Sequence, residues 1–343
     1  MSTINATTNQ KPVAVIILNW NGAKLLRKFL PSVVANTSKE IADVIVADNG
    51  STDDSLDLLR SEFPEVAVLP FPENLGFAGG YNRALRETGY QYTVLLNSDV
   101  ETPAGWLEPL YDFMEKHSHA AACQPKILSY TDKSKFEYAG AAGGYIDRNG
   151  YPYCRGRLFD TVEVDNGQYN TAKEVFWATG AALMIRTELY NRVGGLDERF
   201  FAHMEEIDLC WRLLLMGESL WCVPASKVYH LGGGSLPVDN PRKTYLNFRN
   251  NLLLLHKNLP VEDLGPALFR RRLLDTVAWA KFLLTGDRKN ADAILQAHRD
   301  FKSMRKHYTQ HPTYNLLKMK TAKPRPNILV EYFLKKRRYY YEL

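Results

Sequence analysis

The chain has 343 residues, 45% hydrophobic and 24% charged, with a formal net charge of +5. That composition argues against a disordered or fibrous protein and allows a sizeable core. The four cysteines, Cys123, Cys154, Cys210 and Cys222, lack any C-x-x-C spacing and suggest neither a zinc site nor a disulfide framework. The N-terminal MSTINATTNQKP lacks an apolar stretch, so no signal peptide is expected. No uncharged apolar run reaches the roughly 20 residues that span a bilayer. A cytosolic protein, at most peripheral to a membrane, is the expectation.

In chain order, PVAVIILNW (12–20) is a continuous apolar run, as in a parallel strand covered on both faces. AKLLRKFLPSVVAN predicts a helix with Leu25, Leu26, Phe29, Leu30 and Val33 apolar. ADVIVADNG (42–50) is a second strand, and STDDSLDLLRSEF a helix with Ser51 as N-cap candidate. VAVLPF (66–71) is a third strand, followed by a helix at 80–89. YTVLLNSD is a fourth strand, followed by a helix with Pro103 near its start. This alternation predicts an α/β fold, an open doubly wound, mostly parallel sheet with helices on both faces. Beyond residue 120 the chain reads as short strands and Gly- and Tyr-rich loops. A helix at 205–217, a strand at 219–230 and a glycine run follow, and from 241 onward the chain is mostly helical.

Charge is distributed unevenly. Residues 240–343 hold 22 Lys/Arg against 8 Asp/Glu, a net of +14, while the rest is net acidic. A basic block suggests an anionic partner. The segment LFRRRLLDTVAWAKFLL sets cations beside an apolar face and reads equally as an anionic-membrane-binding helix or as one packed on protein. No nucleic-acid module is recognisable in it, so nucleic acid is not an expected partner.

Ligands of open α/β sheets bind beyond the carboxyl ends of the strands. Asn19 and Asn21 follow the first strand. Asp48, Asn49 and Asp53 follow the second, Asn74 with Gly76, Gly79 and Gly80 the third, and Asn97, Ser98 and Asp99 the fourth. Each group alone is ordinary turn chemistry; four together are not. The dinucleotide fingerprint G-x-G-x-x-G and the P-loop are both absent after the first strand.

VIILNWNG, VIVADNGSTDDS, NLGFAGGYNRAL, LLNSDV, ATGAALMIR, GGLDERFFAHMEEIDLCWRL and VYHLGGGS, in this order, resemble family 2 glycosyltransferases of the GT-A fold, above all bacterial rhamnosyltransferase-type enzymes of surface polysaccharide synthesis. The resemblance covers about residues 12–255. It implies a catalytic domain over 1–255 and a basic helical extension over 256–343. It also implies inverting transfer of a sugar, rhamnose from dTDP-rhamnose or another UDP- or dTDP-sugar, to a glycan or lipid-linked glycan. In such enzymes an acid at the end of the fourth strand binds Mn²⁺ or Mg²⁺ on the donor diphosphate. Here that acid is Asp99, with His230 as second ligand and Asn97 toward the ribose or donor sugar. Asp48 matches the residue reading the base, and Asn74, Gly79, Gly80 and Asn82 match the loop over ribose and diphosphate. Thr179, Gly180 and Trp177 match the lining of the donor sugar and acceptor, and Arg249 and Asn250 a polar pair near phosphate or acceptor. Glu205 or Glu206, with slight preference for Glu205, matches the base, and Asp208 an orienting or acceptor-binding group. Asp53 is expected to cap a helix.

Two rival readings stand beside this one. Asn at 97 and Glu-Glu in place of the more usual Glu-Asp fit a non-catalytic nucleotide-sugar-binding or scaffold subunit. A nucleotidyltransferase shares the fold type but carries a Gly- and Arg-rich loop that NWNGAKLL is not. The sequence does not decide between a monomer and a homo-oligomer.

Overall fold

The computed structural model describes residues 11–232, 240–319 and 324–343. Residues 1–10 and the end of the glycine run, Gly233, Gly234 and Ser235, lie outside them. Four strands, β1 (Val13–Asn19), β2 (Ala42–Asp48), β3 (Ala67–Pro70) and β4 (Tyr92–Asn97), pair in parallel in the order β3-β2-β1-β4. Helices α1 (Ala23–Asn36), α2 (Ser55–Glu62) and α3 (Gly76–Thr88) connect them. Val13, Val15 and Ile17 of β1 enter one core with Leu26, Leu30 and Val33 of α1. Ala14 and Ile16 enter the other with Tyr81 and Leu85 of α3. A strand buried on both faces needs an unbroken apolar run, and that is why β1 reads as it does.

The sheet continues as a mixed one. After β5 (Val100–Glu101) and α4 (Glu108–Lys116) comes β6 (Ala120–Ser129). The short strands β7 (Gly144–Ile146), β8 (Pro152–Cys154), β9 (Arg157–Leu158) and β10 (Thr161–Val162) form a separate antiparallel sheet. β11 (Lys173–Glu174) and β12 (Ala182–Arg186) follow, then α5 (Thr187–Arg192), α6 (Glu205–Leu215) and β13 (Ser219–His230). β12 lies antiparallel between β4 and β6, and β13 runs parallel to β6. Helices α7 (Pro241–Asn258), α8 (Val261–Leu284) and α9 (Arg288–Met304) close one side, with Leu252–Leu255 and Phe301 in the same core as the sheet. The boundary expected after 255 therefore falls inside α7. The C-terminal residues Ile328 and Tyr332 fold back onto Tyr153 and Leu158 of the small sheet.

Three element starts differ from the sequence reading. Ser51 caps no helix: α2 begins at Ser55, and the Ser51 hydroxyl accepts from Asn19 and from the Asn21 N–H. α3 begins at Gly76 instead of 80, so Gly79 and Gly80 are helical. α4 begins at Glu108, with Pro109 near its start in place of Pro103, because Gly105 at φ +70° turns the chain and sends Trp106 and Leu107 into the core first.

Candidate active site

Strand register assembles the rim. Asn19 lies level with Asp48, Asp48 with Pro70, and Leu18 with Asn97, so the four strands end together. Asp48 is buried and accepts from Asn19 Nδ2 at 3.0 Å and from the Ser51 N–H at 3.0 Å. A carboxylate has about four acceptor sites, so capacity remains for a ligand N–H. Asn21, left-handed at φ 49°, accepts from the Thr52 N–H at 2.7 Å. Asp53 accepts from the N–H groups of Ala23 and Ser55, tying together the starts of α1 and α2 from the position before the N-cap of α2, which is Asp54 and not the expected Asp53. Asn49 donates to Asn74 at 2.9 Å and accepts from the Leu75 N–H, fixing the turn into α3. Gly80 is required by packing: a Cβ there would lie 2.5 Å from Leu18 and 3.3 Å from Asn49.

The fourth strand end meets β13. β5 pairs antiparallel with the end of β13, His230 opposite Val100, and Leu231 N–H donates to Asp99 O at 3.0 Å. That pairing brings His230 Nε2 to 3.0 Å from Asp99 Oδ1, with Asn97 Nδ2 at 3.4 Å. Ser98 completes the turn between Asn97 and Asp99. On the other side of the ring, Nδ1 lies 3.5 Å from Glu137 Oε2, a long ionic contact. Burial alone would lower the His230 value, but Asp99 and Glu137 outweigh it and push it up to about 10. Burial opposes ionisation of Asp99 too, yet His230 and the Gly232 N–H hold its carboxyl below the usual range. Asp99 Oδ1 and His230 Nε2 face each other at 3.0 Å, so a cation held by both would take the place of the proton that pairs them. A carboxylate oxygen and a neutral imidazole nitrogen suit a divalent cation, and imidazole favours Mn²⁺ over Mg²⁺. Among the described residues no three His, Cys, Asp or Glu side chains form a complete cation site. The sequence reading missed Glu137. It sits in the turn after β6, held by its N–H to Ile127 O, and nothing in FEYAG marks it.

The acid pair opens α6. Glu205 is 6% exposed and Glu206 partly exposed, and each has an Oε2 with no hydrogen-bond partner among the described residues. Burial raises both carboxyls. Glu205 is raised further, with Glu206 and then Asp208 adding to the effect. A Cβ built on Gly180 would lie 3.8 Å from Glu206 Cβ and 3.4 Å from Phe77, and the adjacent Ala181 O accepts from the Asn97 N–H. Gly180 therefore joins Glu206 to the strand end that carries Asp99.

Several expected ligand contacts are internal instead. Asp208 is fully buried and accepts from Arg212 Nε at 2.9 Å, Lys257 at 2.8 Å and Asn258 at 2.8 Å, so it is a core anion rather than an acceptor group. Asn82 spends its amide on Leu196, Glu198 and Tyr190, and Gly79 packs on Leu75 and Glu198. Trp177 is buried, donates to Tyr145 O and packs its ring on Gly144, where a Cβ would lie 2.0 Å from it. Thr179 is buried; its N–H donates to Gln124 Oε1 at 3.0 Å and its hydroxyl accepts from the Ala181 N–H at 3.2 Å. Arg249 and Asn250 hold backbone carbonyls between residues 199 and 203.

Comparison with known proteins follows the same lines. The model of the family "Glycosyl transferase family 2" matches residues 14–189, just over half the chain. The chain belongs to glycosyl transferase family 2. This glycosyltransferase is 28% identical over 232 residues to an N-acetylglucosaminyl-diphospho-decaprenol L-rhamnosyltransferase of Mycobacterium tuberculosis, covering 63% of this chain and 75% of that one. It is 24% identical over 245 residues to the dTDP-rhamnosyl transferase RfbF of Shigella flexneri, covering 67% and 76%. Among solved structures, GalNAc-T7 with UDP, GalNAc and Mn²⁺ superposes with a TM-score of 0.57 at 18% identity, over 71% of this glycosyltransferase and 48% of that chain. The mannosyltransferase PcManGT of Pyrobaculum calidifontis, with GDP-Man and Mn²⁺, gives 0.52 at 15% identity, over 88% and 80%. The fold is GT-A.

Proposed function

We propose that this glycosyltransferase is inverting and metal-dependent, moving a sugar, rhamnose from dTDP-rhamnose or another UDP- or dTDP-sugar, onto a growing cell-surface glycan, lipid-linked in form. The observation that carries the reading is the meeting of Asp99 and His230 at 3.0 Å on the same rim as Glu206, whose Oε2 has no hydrogen-bond partner among the described residues. The rhamnosyltransferase names of the two relatives support the donor, and the decaprenol-linked substrate in one name supports the acceptor. The Mn²⁺ in both structural neighbours supports the cation.

Asp48, with spare acceptor capacity, takes the N3–H of a uracil or thymine ring. Asn19, Asn21, Asn49 and Asn74 frame the ribose side. Asp99 and His230, the imidazole having released the proton that pairs it with Asp99, would hold the cation, which would offset charge on the leaving nucleoside diphosphate. Glu137 behind the ring keeps His230 turned toward that point. Glu206 removes the proton of the acceptor hydroxyl as it attacks the anomeric carbon. The slight sequence preference for Glu205 gives way because Glu205 is the more deeply buried and holds its proton more firmly; two adjacent carboxyls in one dry site do not both ionise readily. A thermal-shift screen of nucleotide sugars with and without Mn²⁺, followed by donor hydrolysis, tests this. Stabilisation by dTDP- or UDP-sugars with turnover lost in Glu206→Gln is expected, whereas binding without turnover in the unaltered protein points to the scaffold reading.

The acceptor's lipid calls for a surface. Phe269, Leu273, Val277 and Leu284 on α8 are 64%, 54%, 68% and 88% exposed and fall on one stripe at helical spacing. Exposed Arg270, Arg272 and Lys281 flank it, while Asp275 turns inward to Arg271 and His298. An apolar stripe bordered by cations fits the interface of an anionic membrane on the cytoplasmic side. No described helix is long and apolar enough to cross a membrane. Flotation with anionic vesicles should retain the protein at low salt and lose it in Leu273→Asp/Val277→Asp. Retention unchanged by that pair, or a shift to a dimer with no vesicle binding, contradicts it.

A further inference from the structure

The loop that delivers the acid pair is strained. Phe201, His203 and Met204 all adopt left-handed backbone at φ 66°, 68° and 75°, and none is a glycine. Side chains disfavour that region, so something must hold the loop there. The holder is visible on α7. Asn250, fully buried, donates its amide to Phe200 O at 2.9 Å, Ala202 O at 2.8 Å and His203 O at 2.7 Å. Arg249 donates to Phe200 O at 2.8 Å and, more weakly, to Arg199 O at 3.3 Å. Its Nε also donates to Asn250 Oδ1 at 2.9 Å, which decides that the NH₂ end of the amide faces the loop. Behind them, Tyr245 accepts from Arg249 at 3.2 Å and donates to Asp300 of α9 at 2.6 Å. The chain of contacts runs from α9 through α7 to His203, two residues before Glu205.

We propose that Arg249 and Asn250 are positioning residues, a clamp on the carbonyls of residues 199–203 that holds the left-handed loop and so aims the acid pair. The inference rests on the reading of Glu206 as base. It gives the C-terminal helices a part in the reaction, because the clamp is anchored on α9.

The test is a double-mutant cycle between Asn250→Ala and Glu206→Gln, reading kcat, acceptor KM, and dTDP affinity in the presence of Mn²⁺. Displacing a reacting group by about an ångström costs on the order of 100-fold. Asn250→Ala should therefore lower kcat by roughly 10- to 100-fold, with KM and nucleotide affinity within about twofold of the unaltered protein. In the Glu206→Gln background it should cause no further loss. Arg249→Lys, which keeps the charge but loses the Nε–H that orients the amide, should give a smaller kcat loss and serves where Asn250→Ala does not fold. A raised KM or weakened nucleotide binding with kcat preserved would mean a direct ligand contact and overturns the clamp. So does an additive loss in the double variant, or full turnover in the single ones. If Glu206→Gln itself keeps full turnover, the base reading fails and the clamp's purpose with it. If Glu206→Gln is inactive while Asn250→Ala is fully active, the clamp alone fails.

Discussion

At the scale of single residues, identity was easier to read than orientation. Asp48, Asp99 and His230 were legible because each follows an apolar strand, where a charge needs a reason. Asp208 was misleading: it sits two residues from Glu206, and about 200° of helical rotation turns it from that residue toward Lys257 and Asn258 of α7. Glu137 was invisible because only the turn after β6 brings it to His230. The same scale carries a pH prediction. A base works when deprotonated, and burial raises the Glu206 carboxyl above its ordinary 4.5. Protonation therefore sets in at higher pH than for a solvated glutamate. The acid limb of kcat/KM should lie above 4.5 and disappear in Glu206→Gln if residual activity is measurable; a limb at or below 4.5 contradicts the assignment.

At the scale of elements, the alternation of strand and helix to residue 117 was legible from periodicity alone. The starts of α3 and α4 were not. Glycine normally argues for a loop, but Gly80 is small because α3 lies directly on Leu18 of β1 and on Asn49 beyond β2. The antiparallel insertion of β12 was also hidden, since a buried strand reads alike in either direction. Between elements, Asp208 ties α6 to α7 through Lys257 and Asn258, and Lys257 also reaches Asp197 at 2.8 Å. Asp208 is fully buried although its cations are partly exposed, and breaking a buried ion pair by removing one partner costs about 3–5 kcal/mol. Asp208→Ala should lose that much in denaturant unfolding while the folded fraction keeps its acceptor KM. Unchanged stability with a raised KM would restore Asp208 to the acceptor site.

At the scale of the whole molecule, the charge asymmetry and the fold describe two halves of one task. The net acidic part of the chain carries the strand-end rim. The basic last third supplies α8, with its exposed stripe, and α7 and α9, which brace the loop before α6. The sequence showed the basic block but not that α7 enters the main core. The central claim remains that Asp99 and His230 hold a cation on a nucleoside diphosphate. Calorimetric titration of dTDP with and without Mn²⁺ tests it most directly, in the unaltered protein and in Asp99→Ala and His230→Ala. Mn²⁺ should strengthen dTDP binding in the unaltered protein and have little effect in either variant; an equal Mn²⁺ enhancement in all three would contradict the account.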